Sequence, residues 1–264
     1  VQRGIMKHPT ILLGAAAGDI IGSPYEHHPC QDPLFPLFSP ESEFTDDTVL
    51  TVAVADAILH GETYAEKILK YARRYPNAGY GGSFYRWMES VTPQPYNSFG
   101  NGSAMRASAV GWAFDSMEEV LAAAERSAAV THNHPEGIKG AQAVALTIFL
   151  ARTGSSKEQI RAEITHCLGY DLSRSLEEIA SDYEWDVTCQ GSVPESIIAF
   201  LESHDFESAI RNAILLRGDA DTMAAISGSI AEAFYGGVPA AIADEVKRRL
   251  PGEFIRVLEK IIKK

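Results

Sequence analysis

The chain has 264 residues, 45% hydrophobic and 22% charged, enough for one large domain or two small ones around a substantial core. Its 23 basic and 35 acidic residues give a formal net charge of −12, which argues against a general nucleic-acid or anionic-membrane surface. A phosphate-bearing ligand would have to be held by metals, backbone N–H groups or helix starts instead.

Met6 reads as the natural start, with Val1–Ile5 a remnant ahead of it. The apolar run Ile11–Ala17 is too short to span a bilayer and lacks a signal-peptide layout. Cys30, Cys167 and Cys189 are odd in number and show no C-x-x-C spacing, so a reduced, cytoplasmic compartment is expected rather than a disulfide framework.

Leu13–Ile21 is Ala/Gly-rich and helical in pattern. Gly18 and Gly22, one turn apart, suit close helix packing, and Asp19 reads as a helix-surface charge. Glu26 opens an irregular, Pro-rich stretch over Ser23–Phe44 and suits a mobile acid or base. Next comes Thr45-Asp46-Asp47-Thr48, directly before an apolar run. A helix is predicted over Asp47–His60, closed by Gly61 at C′. A second irregular stretch, Asn77–Asn101, carries Gly79-Tyr80-Gly81-Gly82. Ser98-Phe99-Gly100-Asn101-Gly102-Ser103 then leads into a helix over Ser103–Phe114. Glycines there leave backbone N–H groups open to a phosphate, although most such loops are simply turns. Tyr80 and Phe99 suit stacking on a base or ribose, or capping the core.

Thr131-His132-Asn133-His134-Pro135-Glu136 holds two histidines and a glutamate at a spacing that fits no tetrahedral zinc pattern. Pro135 marks a first helical turn. Ser155-x-x-Glu158, Ser175-x-x-Glu178 and Ser192-x-x-Glu195 have capping-box spacing. Asp205 reads as an N-cap. Finally, Asp219-Ala220-Asp221-Thr222 precedes the small-residue run to Tyr235, the same arrangement as at Thr45. Alternating strand patterns are nearly absent. The expectation is one all-α domain.

The two acidic clusters are the strongest chemical signal. Asp and Thr before a helix act as N-caps, worth about 1 kcal/mol each. One cap needs one such residue, however, and adjacent carboxylates repel unless a cation or helix dipole offsets them. Hard oxygen ligands in two such groups suit a pair of Mg²⁺ or Mn²⁺ ions if the fold unites them.

Taken together, these segments resemble the ADP-ribosylglycohydrolase family. The pieces are GAAAGDIIGSPYE (14–26), FTDDTVL (44–50), GYGG (79–82), SFGNGSAMR (98–106), THNHPEG (131–137) and GDADTMAAISGSIAEAFYG (218–236). The resemblance implies a single domain over 6–264, a compact and mostly orthogonal bundle of about a dozen helices. It implies metal ligation by Thr45, Asp46, Asp47, Asp219, Asp221 and Thr222, with Glu26 near the distal ribose. Glu26 or a cluster carboxylate among Asp46, Asp47 and Asp221 would be the catalytic acid or base. Gly79, Gly81, Ser98, Phe99, Gly100, Asn101, Gly102 and His132 would bind ADP-ribose.

The implied activity is metal-dependent release of ADP-ribose from a modified acceptor, protein or small molecule, most often arginine across the family. A non-catalytic ADP-ribose-binding protein and a metal-dependent nucleotide phosphohydrolase are the alternatives on this scaffold. Two positions depart from the family pattern. Arg217 stands where Gly is common and is expected to alter the cleft rim; Ser103 replaces a common Ala.

Overall fold

A computed structural model describes residues 12–260. The reading of Val1–Ile5 as a remnant lies outside them. Among the described residues the chain forms fifteen α-helices and no β-sheet, somewhat more elements than the dozen expected because several are short. The first half comprises α1 (Leu13–Gly22), α2 (Asp46–His60), α3 (Tyr64–Arg74), α4 (Gly82–Glu89), α5 (Gly102–Met105), α6 (Ser108–Ala113) and α7 (Met117–Ala128). The second comprises α8 (Pro135–Arg152), α9 (Lys157–Leu168), α10 (Leu176–Asp182), α11 (Cys189–Leu201), α12 (Phe206–Leu215), α13 (Ala220–Tyr235), α14 (Ala240–Arg249) and α15 (Gly252–Leu258).

The centre of the molecule is the pair α1 and α13. All ten residues of α1 are buried, and so is α13 from Ala220 to Ala233. Small side chains make this possible, because they let two backbones approach until helix surfaces touch. A Cβ at Gly14 would stand 2.4 Å from the Gly228 carbonyl oxygen, one at Gly18 2.0 Å from that of Ala224, and one at Gly22 2.6 Å from that of Ala220. Descending partners for ascending glycines mean the helices run antiparallel. The C-terminal end of α1 therefore lies on the N-terminal end of α13. At the opposite end, the Glu232 carboxylate accepts from the Gly14 N–H at 2.9 Å, setting negative charge on the start of α1.

Several boundaries follow the sequence. Gly61 closes α2 in the left-handed conformation, Pro135 opens α8, and Asp205 caps α12. The Ser175–Glu178 capping box forms. The Ser155 box does not: Ser156 caps α9 and pairs with Gln159, one residue later. Nor does Ser192 start a helix. Thr188 caps α11 by accepting from the Gly191 N–H, so Ser192 and Pro194 lie inside it. The irregular stretch Asn77–Asn101 contains α4, and the helix expected over Ser103–Phe114 breaks at Arg106 into α5 and α6.

Gly18→Ala is predicted to lower unfolding stability by about 1–3 kcal/mol, read as a shifted urea midpoint, because α1 must back away from α13. Gly81→Ala is the control: no atom lies within 4 Å of the added methyl, and φ is −59°. Its midpoint should stay within about 0.5 kcal/mol of wild type.

Candidate metal centre

The first acidic cluster sits at the start of α2, where Thr45 is both N-cap and cavity residue. Its hydroxyl oxygen accepts from the Asp47 N–H at 3.3 Å. The Asp46 N–H donates to the Ala78 carbonyl at 2.6 Å, tying the 77–81 turn to the helix start. Gly79 in that turn has φ +101°, and a Cβ there would stand 3.4 Å from Asp46 Oδ1.

Asp19 is the anchor of this end, not the helix-surface charge expected from the sequence. It is fully buried on α1. Its carboxylate accepts from the Thr45 N–H (2.9 Å), the Thr45 hydroxyl (2.7 Å), the Thr48 N–H (3.1 Å) and the Thr48 hydroxyl. Burial nevertheless outweighs these bonds and pushes the Asp19 carboxyl up to about 6. With the Thr45 hydroxyl proton committed to Asp19, the lone pairs of that oxygen are left to face other partners.

The second cluster sits at the start of α13. Asp219 is the residue at the helix boundary, and Asn101 Nδ2 donates to its Oδ2 at 2.6 Å. Asp221 Oδ1 accepts from the Thr222 N–H at 2.8 Å. The two clusters touch directly: the Thr222 hydroxyl donates to Asp47 Oδ2 at 3.1 Å, across 175 positions of sequence. Carboxylate oxygens of Glu26, Asp219 and Asp221 lie within 4.8 Å of one another, so Glu26 stands at ligand spacing as well.

Burial, then repulsion from neighbouring carboxylates, drives Asp46, Asp47 and Asp221 well above the usual carboxylate range. Burial raises Asp219 too, and burial followed by the Asp219 charge raises Glu26. Asp47 Oδ1 is buried without a hydrogen-bond partner. Clustered hard oxygens, an orphaned carboxylate oxygen and two helix starts facing one point fit divalent cations.

A cavity of about 450 Å³ opens beside the cluster. Its wall includes Glu26, Thr45, Asp46, Asp47, Asp219, Asp221 and Thr222, together with Gly79, Gly81, Ser98, Gly100, Asn101, Gly102 and His132. Phe99 is the exception among the expected site residues. It is not on the wall; its partly exposed ring lies 5.3 Å from that of His134. His134 caps α8, accepting from the Glu136 N–H at 3.1 Å.

Both departures from the family pattern have a physical account. Arg217 adopts φ +64°, the left-handed conformation glycine takes most easily, and donates to the Ala180 carbonyl at 2.9 Å. It does not line the cavity, contrary to the expected effect on the rim. The Ser103 hydroxyl donates to the Gly137 carbonyl at 2.7 Å, so the extra polar group is satisfied.

Sequence reading missed Asp19, Tyr96, Arg106 and Trp185. The last three line the cavity. Trp185 comes from the 183–188 segment, which pairs with the glycine loop: the Asn101 N–H donates to Val187 O at 2.8 Å and the Cys189 N–H to Phe99 O at 2.9 Å. A tryptophan in an otherwise acidic, polar stretch was the available signal. All three cysteines are free thiols, and no described helix is long and apolar enough to cross a membrane.

The ADP-ribosylglycohydrolase family model matches residues 10–264, and the chain belongs to this family. It is 27% identical to the human ADP-ribosylhydrolase ARH3 over 89% of this chain and 86% of that protein. It is also 27% identical to the Pseudomonas putida ADP-ribosylarginine hydrolase Tri1, covering 89% of this chain and 72% of that one. A solved structure described as an ADP-ribosylglycohydrolase-related protein complex superposes with a TM-score of 0.67 at 26% identity, over 95% of this chain and 92% of the other. Membership supports hydrolysis of ADP-ribosyl bonds as the class of activity.

Asp47→Asn removes one of several mutually repelling buried charges while keeping an acceptor for Thr222. In metal-free buffer its thermal midpoint is predicted to equal or exceed that of wild type. Mn²⁺ at 100 times its Kd should stabilise wild type by about 2.7 kcal/mol and leave the variant nearly unmoved. Differential scanning calorimetry with and without the ion reads both effects.

Proposed function

We propose that this protein hydrolyses the glycosidic bond between ADP-ribose and an arginine side chain, using Mg²⁺ or Mn²⁺ held by Thr45, Asp46, Asp47, Asp219, Asp221 and Thr222. The observation that carries the reading is the Thr222–Asp47 hydrogen bond, which brings two acidic helix starts into one cavity wall. Bound there, divalent cations supply charge for chelating ribose hydroxyls and lower the pKa of water.

The chain's own groups account for the rest. Gly100 and Gly102 bring bare backbone to the cavity wall, where a diphosphate can approach without a basic field. Glu26 follows the 3₁₀ turn Ser23–Tyr25 and is partly exposed, unlike Asp47, Asp219 and Asp221. Placed at the edge of the cluster, it moves the proton: water adds its oxygen to the anomeric carbon, the carbon–nitrogen bond breaks, and the departing guanidine nitrogen gains a proton. Flanking carboxylates stabilise the oxocarbenium-like charge that develops.

Arginine as acceptor is favoured by charge, since a guanidinium is drawn to a carboxylate-lined mouth in a chain of net charge −12. Similarity to an ADP-ribosylarginine hydrolase supports the same choice.

Incubation with an ADP-ribosylarginine peptide should release free ADP-ribose with Mg²⁺ or Mn²⁺ and none with EDTA. Asp47→Ala and Asp221→Ala should abolish turnover with an intact helical circular-dichroism spectrum, and Glu26→Gln should lower kcat by about 10²–10⁴-fold. AMP as the main product would replace the proposal with attack at phosphorus. Tight binding without turnover would leave a binding protein.

A further inference from the structure

Arg106 is the largest fully buried side chain, at 0% exposure, and it has no carboxylate partner among the described residues. Its Nη2 donates to the Ser127 carbonyl at 3.1 Å and to the Thr131 hydroxyl oxygen at 2.9 Å, while Nε and Nη1 have no partner. The Thr131 hydroxyl oxygen in turn lies 2.7 Å from His132 Nδ1. Thr131 is itself fully buried.

A guanidinium only donates, so Thr131 must accept from Arg106 and cannot return its own proton there. The remaining hydrogen-bond partner of that hydroxyl is His132 Nδ1. If Nδ1 carried a proton, the Thr131 hydroxyl hydrogen would be stranded in a dry site, at the cost of an unmade buried hydrogen bond. The arrangement is satisfied when Nδ1 is a bare lone pair.

The other ring nitrogen faces the cavity. A Cβ at Gly102 would stand 3.3 Å from His132 Nε2, and one at Gly100 3.7 Å from it. Both glycines and His132 line the same cavity as the acidic cluster.

We propose that Arg106 and Thr131 form a relay that locks His132 as the neutral Nε2–H tautomer, a fixed donor aimed over the Gly100–Gly102 loop at an acceptor-only oxygen such as a diphosphate presents. Arg106 and Thr131 are positioning residues acting through His132. This rests on the ADP-ribose reading for the ligand, but not for the tautomer. Burial, and secondarily the Arg106 charge, holds the His132 imidazolium well below its ordinary range, consistent with a neutral ring. The arrangement also explains a buried, unpaired guanidinium: its charge polarises a donor one hydroxyl away.

Two-bond ¹H–¹⁵N correlation of the ¹⁵N-histidine-labelled protein reads the tautomer without any variant. His132 is expected with its proton on Nε2, and a proton on Nδ1 would overturn the relay. Thr131→Val should lower the Nε2–H population and weaken ADP-ribose binding about tenfold by calorimetry, with Thr131→Ser restoring both. A Thr131→Val protein with unchanged tautomer and Kd would also overturn it. Failure of the wild-type protein to bind ADP-ribose would instead remove the functional reading while leaving the tautomer result to stand on its own.

Discussion

Everything at the site depends on how closely α1 approaches α13. Glycines at 14, 18 and 22 leave no room for a methyl group between the two backbones. That contact sets the end of α1 on the start of α13 and carries the chain through the turn at Ser23–Tyr25 to Glu26, beside Asp219 and Asp221. One residue after Gly18, Asp19 reaches the other way and takes hydrogen bonds from Thr45 and Thr48 at the start of α2. A single helix end thus gathers two acidic segments separated by some 170 positions. Packing does the gathering, and hydrogen bonding fixes the orientation.

The gathered charge is costly when no cation is present. Buried carboxylates that repel one another store free energy that a divalent ion releases on binding, so the site trades stability for affinity. Helix starts at α2 and α13 offset part of the cost. Elsewhere on the cavity wall the chemistry differs: glycine backbone, the His132 imidazole that burial keeps from charging, and the buried Arg106 guanidinium. A protein of net charge −12 thus carries a few donors and open backbone within its cavity, without a basic surface.

Much of this was legible in the residues. Carboxylates doubled before an apolar run, and doubled again far away, say more than an N-cap requires. Small-residue runs announce close helix packing, although they do not name the partner. Asp19 was not legible, because a lone Asp beside Gly18 looks the same whether it faces water or a second helix start. Only the approach of three helices decides that. The Ser155 and Ser156 choice was equally open, since Glu158 and Gln159 each complete a box, and tertiary packing selected the later register. Arg106 sat inside a recognised motif without an evident job; its role needs Thr131 and His132, which arrive from the end of α7. Trp185 depends on pairing between the 183–188 segment and the glycine loop, a contact no local pattern encodes.

If α1 brings the two acidic helix starts together around bound cations, the ions must sit between them. Crystals grown with Mn²⁺ and measured for anomalous scattering test it most directly. Anomalous density is expected between Asp46 and Asp47 on one side and Asp219 and Asp221 on the other, within coordination distance of both. Density confined to one segment, or lying elsewhere on the molecule, would contradict it.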